Sequence, residues 1–114
     1  MPDATRFLPL SPDVFEILVA LAEGELHGYG ILKVLEARDV RIAASLLYRK
    51  LRRLMEDDLV VEAASRRRTG DDVRRRYYRL TPLGLAVVRA EAARIVELAR
   101  SREIRRLAAG ASHG

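Results

Sequence analysis

The chain has no cysteine and no tryptophan, and only two histidines, His27 and His113, in 114 residues. Without cysteine there are no disulfides, no thiolate zinc site and no thiol nucleophile. His27 has no second histidine near it in sequence, so it reads as a turn residue beside Gly28-Tyr29 rather than a metal ligand or catalytic base. Aromatic residues make up 5% of the chain, so any core is built from Leu, Val, Ile and Ala. No apolar run reaches the about 18 uncharged residues of a membrane span. MPDATRFLPLSPD lacks the basic start and apolar stretch of a secretory signal, so a cytoplasmic location is expected. There is no Gly-rich phosphate loop, and Asp57-Asp58 are adjacent, so regular structure would make them diverge. No group of residues converges as catalysis requires, and neither an enzyme, a metal site nor a cofactor is expected.

What the chain does have is charge in one place. Its net charge is +5. From Arg41 to Arg79 there are 12 Arg/Lys against 6 Asp/Glu, whereas the remainder has 9 basic and 10 acidic residues. The positive excess is therefore confined to a third of the chain, as a polyanion-binding surface would be. With 49% hydrophobic residues the chain can fold as one domain, and so small a core gains from self-association.

Residues 1–10 read as a short N-terminal arm. Ser11-Pro12 opens a helix, with Ser as cap, Pro in the first turn and Asp13 near the positive helix end. That helix is apolar on most sides: Val14, Ile17, Leu18 and Leu21 form one stripe, while Phe15, Val19 and Ala22 widen it. Such a helix asks for a second burying surface, for instance a partner subunit. A second helix runs from about Gly28, with Ile31, Leu32 and Leu35 inward and Tyr29 assigned to the core. A third covers about Ala44 to Glu56. Its Leu47, Leu51, Leu54 and Met55 share one face, and Arg49, Lys50, Arg52 and Arg53 take the rest. LVVEA and RYYRL then read as two strands around the polar loop SRRRTGDDVRRR. Thr81-Pro82 starts a last helix, expected to run unbroken to about Arg106, followed by a fraying tail.

Three helices and a hairpin in this order make a winged helix-turn-helix. The expected fold is mainly α with a small β-hairpin, plus a long C-terminal dimerisation helix. The expected organisation is an arm (1–10), a DNA-binding domain (11–80), the dimerisation helix (81–107) and a flexible tail (108–114). An amphipathic third helix with a cationic outer face can enter a major groove. Ser45, Leu46, Tyr48, Arg49, Lys50, Arg52 and Arg53 are the candidate contacts on it. Arg66, Arg67, Arg68, Arg74 and Arg75 in the wing can reach phosphates or a minor groove. Phe15, Val19, Leu85, Val88, Ala92, Ile95 and Ala99 are the candidate dimer seam, the last five recurring in 3–4 residue steps.

LVALAEGELHGYGILKVLE (18–36), LLYRKLRRLMEDDLV (46–60) and RRRYYRLTPLG (74–84) together resemble the PadR-type transcriptional regulators. The likeness spans about residues 14–90, and the single C-terminal helix resembles the short-form members. The resemblance implies a homodimeric repressor on a palindromic double-stranded DNA operator, with half-sites roughly 10 bp apart or a multiple of that. It also implies that a small hydrophobic or phenolic effector releases the DNA. Ser45-Leu46 stands where the family usually has a small or hydroxylated pair, and Ala43-Ala44 replaces a Ser-type helix cap. The lack of tryptophan excludes the drug stacking between indoles seen in some short members. Two other readings fit the charge pattern: a winged helix docking an acidic protein partner, and a sequence-blind nucleic-acid binder.

Overall fold

The computed structural model describes residues 3–63 and 76–111. A 3-10 turn, Ala4–Phe7, leads into α1 (Pro12–Ala22), β1 (Leu26–His27), α2 (Gly28–Ala37), α3 (Ala44–Glu56), β2 (Val60–Ala63), β3 (Tyr77–Leu80), α4 (Pro82–Arg100) and α5 (Arg102–Ala111). The architecture is the winged helix-turn-helix with a helical C-terminal extension.

Local chemistry sets most of the boundaries. Ser11 occupies the N-cap of α1, but its hydroxyl donates to Asp13 Oδ1 at 2.6 Å instead of capping the backbone. His27 caps α2, its Nδ1 accepting from Gly30 N–H at 2.9 Å. Both α2 and α3 end on an aspartate in the left-handed region, Asp39 and Asp58, each with φ of 62°. The next residue in each case bonds back five positions: Val40 N–H to Leu35 O at 2.8 Å and Leu59 N–H to Leu54 O at 2.9 Å. This closure usually takes glycine, but a short polar side chain tolerates the conformation. Thr81 both accepts from Gly84 N–H at 2.9 Å and donates to Asp58 O at 2.6 Å, so it caps α4 and ties it to the end of α3.

The hairpin register pairs Val60 with Leu80 and Ala63 with Tyr77. A third strand joins it: β1 pairs with β3, Leu26 opposite Tyr78 and His27 opposite Tyr77, giving the order β1-β3-β2. Two residues are too few for a period-two pattern to be read from sequence. The sheet buries Tyr78 and Val60 against a core of Ile17, Leu18, Leu21, Ile31, Leu35, Leu47, Leu51 and Val87. These aliphatic positions recur at three and four residue steps along α1, α2 and α3, and that spacing folds the three helices around one centre.

The C-terminal part departs from one unbroken helix. Ser101 is extended (φ −66°, ψ 140°), ending α4; its hydroxyl accepts from Ile104 N–H at 3.1 Å and so starts α5. Serine favours the cap over a helix interior, and that preference decides the break. Helix continues to Ala111, past the point where fraying was expected. The inward stripe of α4 is Gly84, Val87, Val88 and Glu91. Glu91 is buried, accepting from Leu10 N–H at 2.7 Å and from the Arg94 guanidinium. This pins the N-terminal arm onto α4. The Arg94 bond and the Leu10 amide hold the Glu91 carboxyl below its ordinary range despite its burial.

Candidate nucleic-acid interface

The face of α3 away from the core carries Ser45, Arg49 and Arg52 on one strip, flanked by Tyr48 and Arg53, all exposed. The strip follows from the fixed 100° per residue once Leu47, Leu51 and Leu54 are buried. Among the described residues neither Arg49 nor Arg52 is ion-paired. Arg53 reaches Asp57 at 3.3 Å with its side chain 74% exposed, a pair weak enough to exchange for another anion.

Two of the α3 residues expected on this face point elsewhere. Lys50 lies on the flank toward α1 and pairs with Asp13 at 3.5 Å. The Asp13 carboxyl is held below its ordinary range chiefly by the Ser11 hydroxyl, with a smaller contribution from Lys50. Leu46 is half-buried. Arg66, Arg67, Arg68, Arg74 and Arg75 lie outside the described residues.

Beside the strip is a cleft of about 510 Å³ lined by His27, Gly28, Tyr29, Tyr48, Arg52, Arg76 and Tyr78. Tyr29, expected in the core, is 59% exposed. On α2 the inward positions are Gly28, Ile31 and Leu35, which turns Tyr29 outward, with Lys33 Nζ 5.2 Å from its ring centroid. Sequence reasoning missed Tyr29 and Arg76 as surface groups because β1, which brings the start of α2 beside β3, left no pattern to read.

The expected dimer seam divides in two. Val88 is 5% exposed and belongs to the chain's own core, since it lies on the inward stripe of α4 with Gly84, Val87 and Glu91. Phe15, Val19 and Leu85 are half-buried against that core. Ala92, Ile95 and Ala99 are exposed. Continued past Glu91, the same side of α4 outruns the core and exposes Ile95 and Leu98, followed on α5 by Ile104 and Leu107. No residue of α5 is buried.

Comparison with known proteins agrees with this geometry. The family described as "Transcriptional regulator PadR-like family" matches residues 17–90. A transcriptional regulator of Mycobacterium tuberculosis is 35% identical over 84 residues, covering 74% of this chain and 76% of its own. The crystal structure of a PadR family transcriptional regulator from Eggerthella lenta superposes with a TM-score of 0.60 at 30% identity, covering 72% of each chain. RosR of H. salinarum shares the fold over 94% of both chains, with a TM-score of 0.63 at 21% identity.

Proposed function

We propose, on the premise that this chain belongs to the PadR-like family of transcriptional regulators, that it is a homodimeric repressor reading a palindromic operator through α3. Members of this family are regulators and not enzymes. The observation that carries the reading is the outward face of α3: two arginines with no ion-pair partner among the described residues, beside a serine and a tyrosine hydroxyl, on a helix whose other side is locked into the core. Arginine reads guanine O6 and N7 bidentately in a major groove, and each such pair discriminates by about 1–3 kcal/mol. Residues 11–80 are the proposed DNA-binding domain, and the wing arginines its contacts to flanking backbone or minor groove.

The dimer is proposed to form through the C-terminal helices from residue 81 onward together with α1. Ile95 and Leu98 continue a stripe that is already buried in its first half, so a second subunit completes it. Occupying a promoter with such a dimer suffices to block transcription. A small hydrophobic or phenolic effector is proposed to enter where α1 and α4 of two subunits meet, because Phe15, Val19 and Leu85 leave apolar surface there.

The test is a gel shift of the full-length protein on its own upstream DNA with excess random duplex. A discrete shift that withstands competitor and is lost in Arg49→Ala/Arg52→Ala is expected. A shift erased by random duplex would instead favour sequence-blind binding. Absence of any shift, with capture of an acidic protein partner that the same double variant abolishes, would favour the docking module.

A further inference from the structure

We propose that the cleft between the first turn of α2, α3 and the start of β3 is the seat of a DNA backbone phosphate, and that Gly28 is the positioning residue that lets Tyr48 reach it. The proposal rests on the reading of α3 as a DNA-binding helix and names a second, sequence-blind contact beside it.

Two guanidiniums from separate elements line this cleft: Arg52 from α3, and Arg76 from the residue preceding β3. Tyr29 and Tyr48 add hydroxyl groups, and no carboxylate is among the described residues of its lining. Glu62 meets Arg76 at 3.3 Å, but both side chains are open to solvent (45% and 75% exposed). A pair so exposed exchanges readily for a phosphate, which takes a guanidinium bidentately. The first turn of α2 borders the same space and contributes its positive end. A helix in the major groove has a sugar-phosphate backbone along each flank. Arg52 is one turn from Arg49, so the cleft lies at the edge of the strip that would face the bases, where a flanking phosphate falls.

The role of Gly28 is steric. A Cβ built on it would lie 2.2 Å from the Tyr48 Oη and 2.7 Å from Cζ. The Tyr48 hydroxyl therefore packs directly over the bare Cα of the first residue of α2. Its side chain is 45% exposed and can swing outward, so an alanine at 28 would displace the tyrosine tip rather than the backbone. The glycine is required by this approach and not by its backbone angle.

Phosphate contacts are blind to sequence, so the test uses the full-length protein and a fluorescein-labelled random-sequence duplex, titrated at several salt concentrations. Each lost arginine–phosphate contact should flatten the slope of log K against log salt by about 0.9, whereas a lost tyrosine hydroxyl contact leaves it unchanged. Arg76→Gln is expected to do so at each seat and to weaken binding roughly fivefold to tenfold at moderate salt. Arg38→Gln, which removes a charge engaged by Glu16 on the far end of α2, is the control and should leave the slope unchanged. Gly28→Ala and Tyr48→Phe should each weaken binding severalfold, and the double variant should bind no more weakly than the worse single one, because both remove one hydroxyl contact. Thermal melts check that each variant is folded; should Gly28→Ala fail to fold, Arg76→Gln and Tyr48→Phe decide.

Equal slopes for Arg76→Gln and Arg38→Gln overturn the seat. So does independent, additive loss in the Gly28/Tyr48 cycle. If the slope is unmoved while phenyl phosphate binds the wild type and not Arg76→Gln, the cleft serves a small anion instead. A wild type that binds no duplex at any salt overturns the DNA reading and the seat together, whereas unaltered variants of a DNA-binding wild type overturn the seat alone.

Discussion

Alanine at Gly84 tests how closely α4 is seated on the winged helix. A Cβ there would lie 2.0 Å from the Leu59 carbonyl oxygen and 2.9 Å from its carbon. That oxygen cannot step aside, because it accepts from Thr81 N–H at 3.0 Å and belongs to the backbone entering β2. The first turn of α4 must therefore lift by about 1.3 Å, the difference between that 2.0 Å gap and an ordinary carbon–oxygen contact of about 3.3 Å. Overpacking of this kind costs about 1–3 kcal/mol, and loosening the Thr81 hydrogen bond about another 1 kcal/mol. Alanine's better helix propensity returns up to about 1 kcal/mol, so the net loss is about 2 kcal/mol. For a chain of this size that lowers Tm by roughly 8 °C, read by circular dichroism at fixed protein concentration, since the melting of the proposed dimer would depend on it. Gly110→Ala is the matched control: it also lies in a helix but meets nothing within 4 Å, and it should leave Tm unchanged or raise it slightly. If Gly84→Ala melted at or above the wild type, the close approach of α4 to Leu59 would be refuted.

Ile95→Asp places a charge on the exposed stripe of α4 and should convert the proposed dimer to monomer, seen by sedimentation or light scattering; an intact dimer moves the interface elsewhere. Glu91→Gln removes the charge that holds the Leu10 amide and Arg94, and should cost about 1–3 kcal/mol at neutral pH, less than the about 3–5 kcal/mol of a fully buried broken pair because the Arg94 side chain is 39% exposed. The folded carboxyl titrates below its ordinary value, so this stabilisation is complete above about pH 4.3 and is lost as pH falls through the lower folded value. Urea midpoints for the two proteins should accordingly converge in acid; a gap that stayed constant would show that Glu91 does not act through its charge. Ala43→Ser supplies the side-chain cap that α3 lacks and should stabilise the fold by about 0.5–1 kcal/mol in the same melts, with no gain expected if another group already serves those amides.

The helical core was legible in the sequence because each of the three helices carries a stripe of apolar residues at three and four residue steps, clearest on α3, where the opposite face is charged. Leu47, Leu51 and Leu54 fixed which side of α3 is buried, and hence that Arg49, Arg52 and Ser45 look outward. Thr81-Pro82 and Gly28 marked helix starts through local backbone chemistry, and the crowding of positive charge into residues 41–79 pointed to a polyanion. All of these are short-range properties, written in neighbouring residues.

What neighbouring residues do not encode is which elements meet. Lys50 and Arg52 are both cationic and two positions apart, yet one faces Asp13 on α1 and the other the cleft; only the packing of α1 against α3 separates them. Val88 and Ile95 both fall on the repeat proposed as a dimer seam, but the domain's own core ends between them, covering the first and leaving the second bare. The two-residue strand β1 exists because β3 offers it a free edge, and through that pairing His27, Gly28 and Tyr29 arrive beside Tyr48 and Arg76. The sequence by itself determined the three helices of the winged domain, most of their inward positions and the sign of the charge outside the core, since these follow from periodicity and charge. The tertiary structure alone decided which cations converge and where apolar surface is left uncovered, because both depend on contacts between segments far apart along the chain.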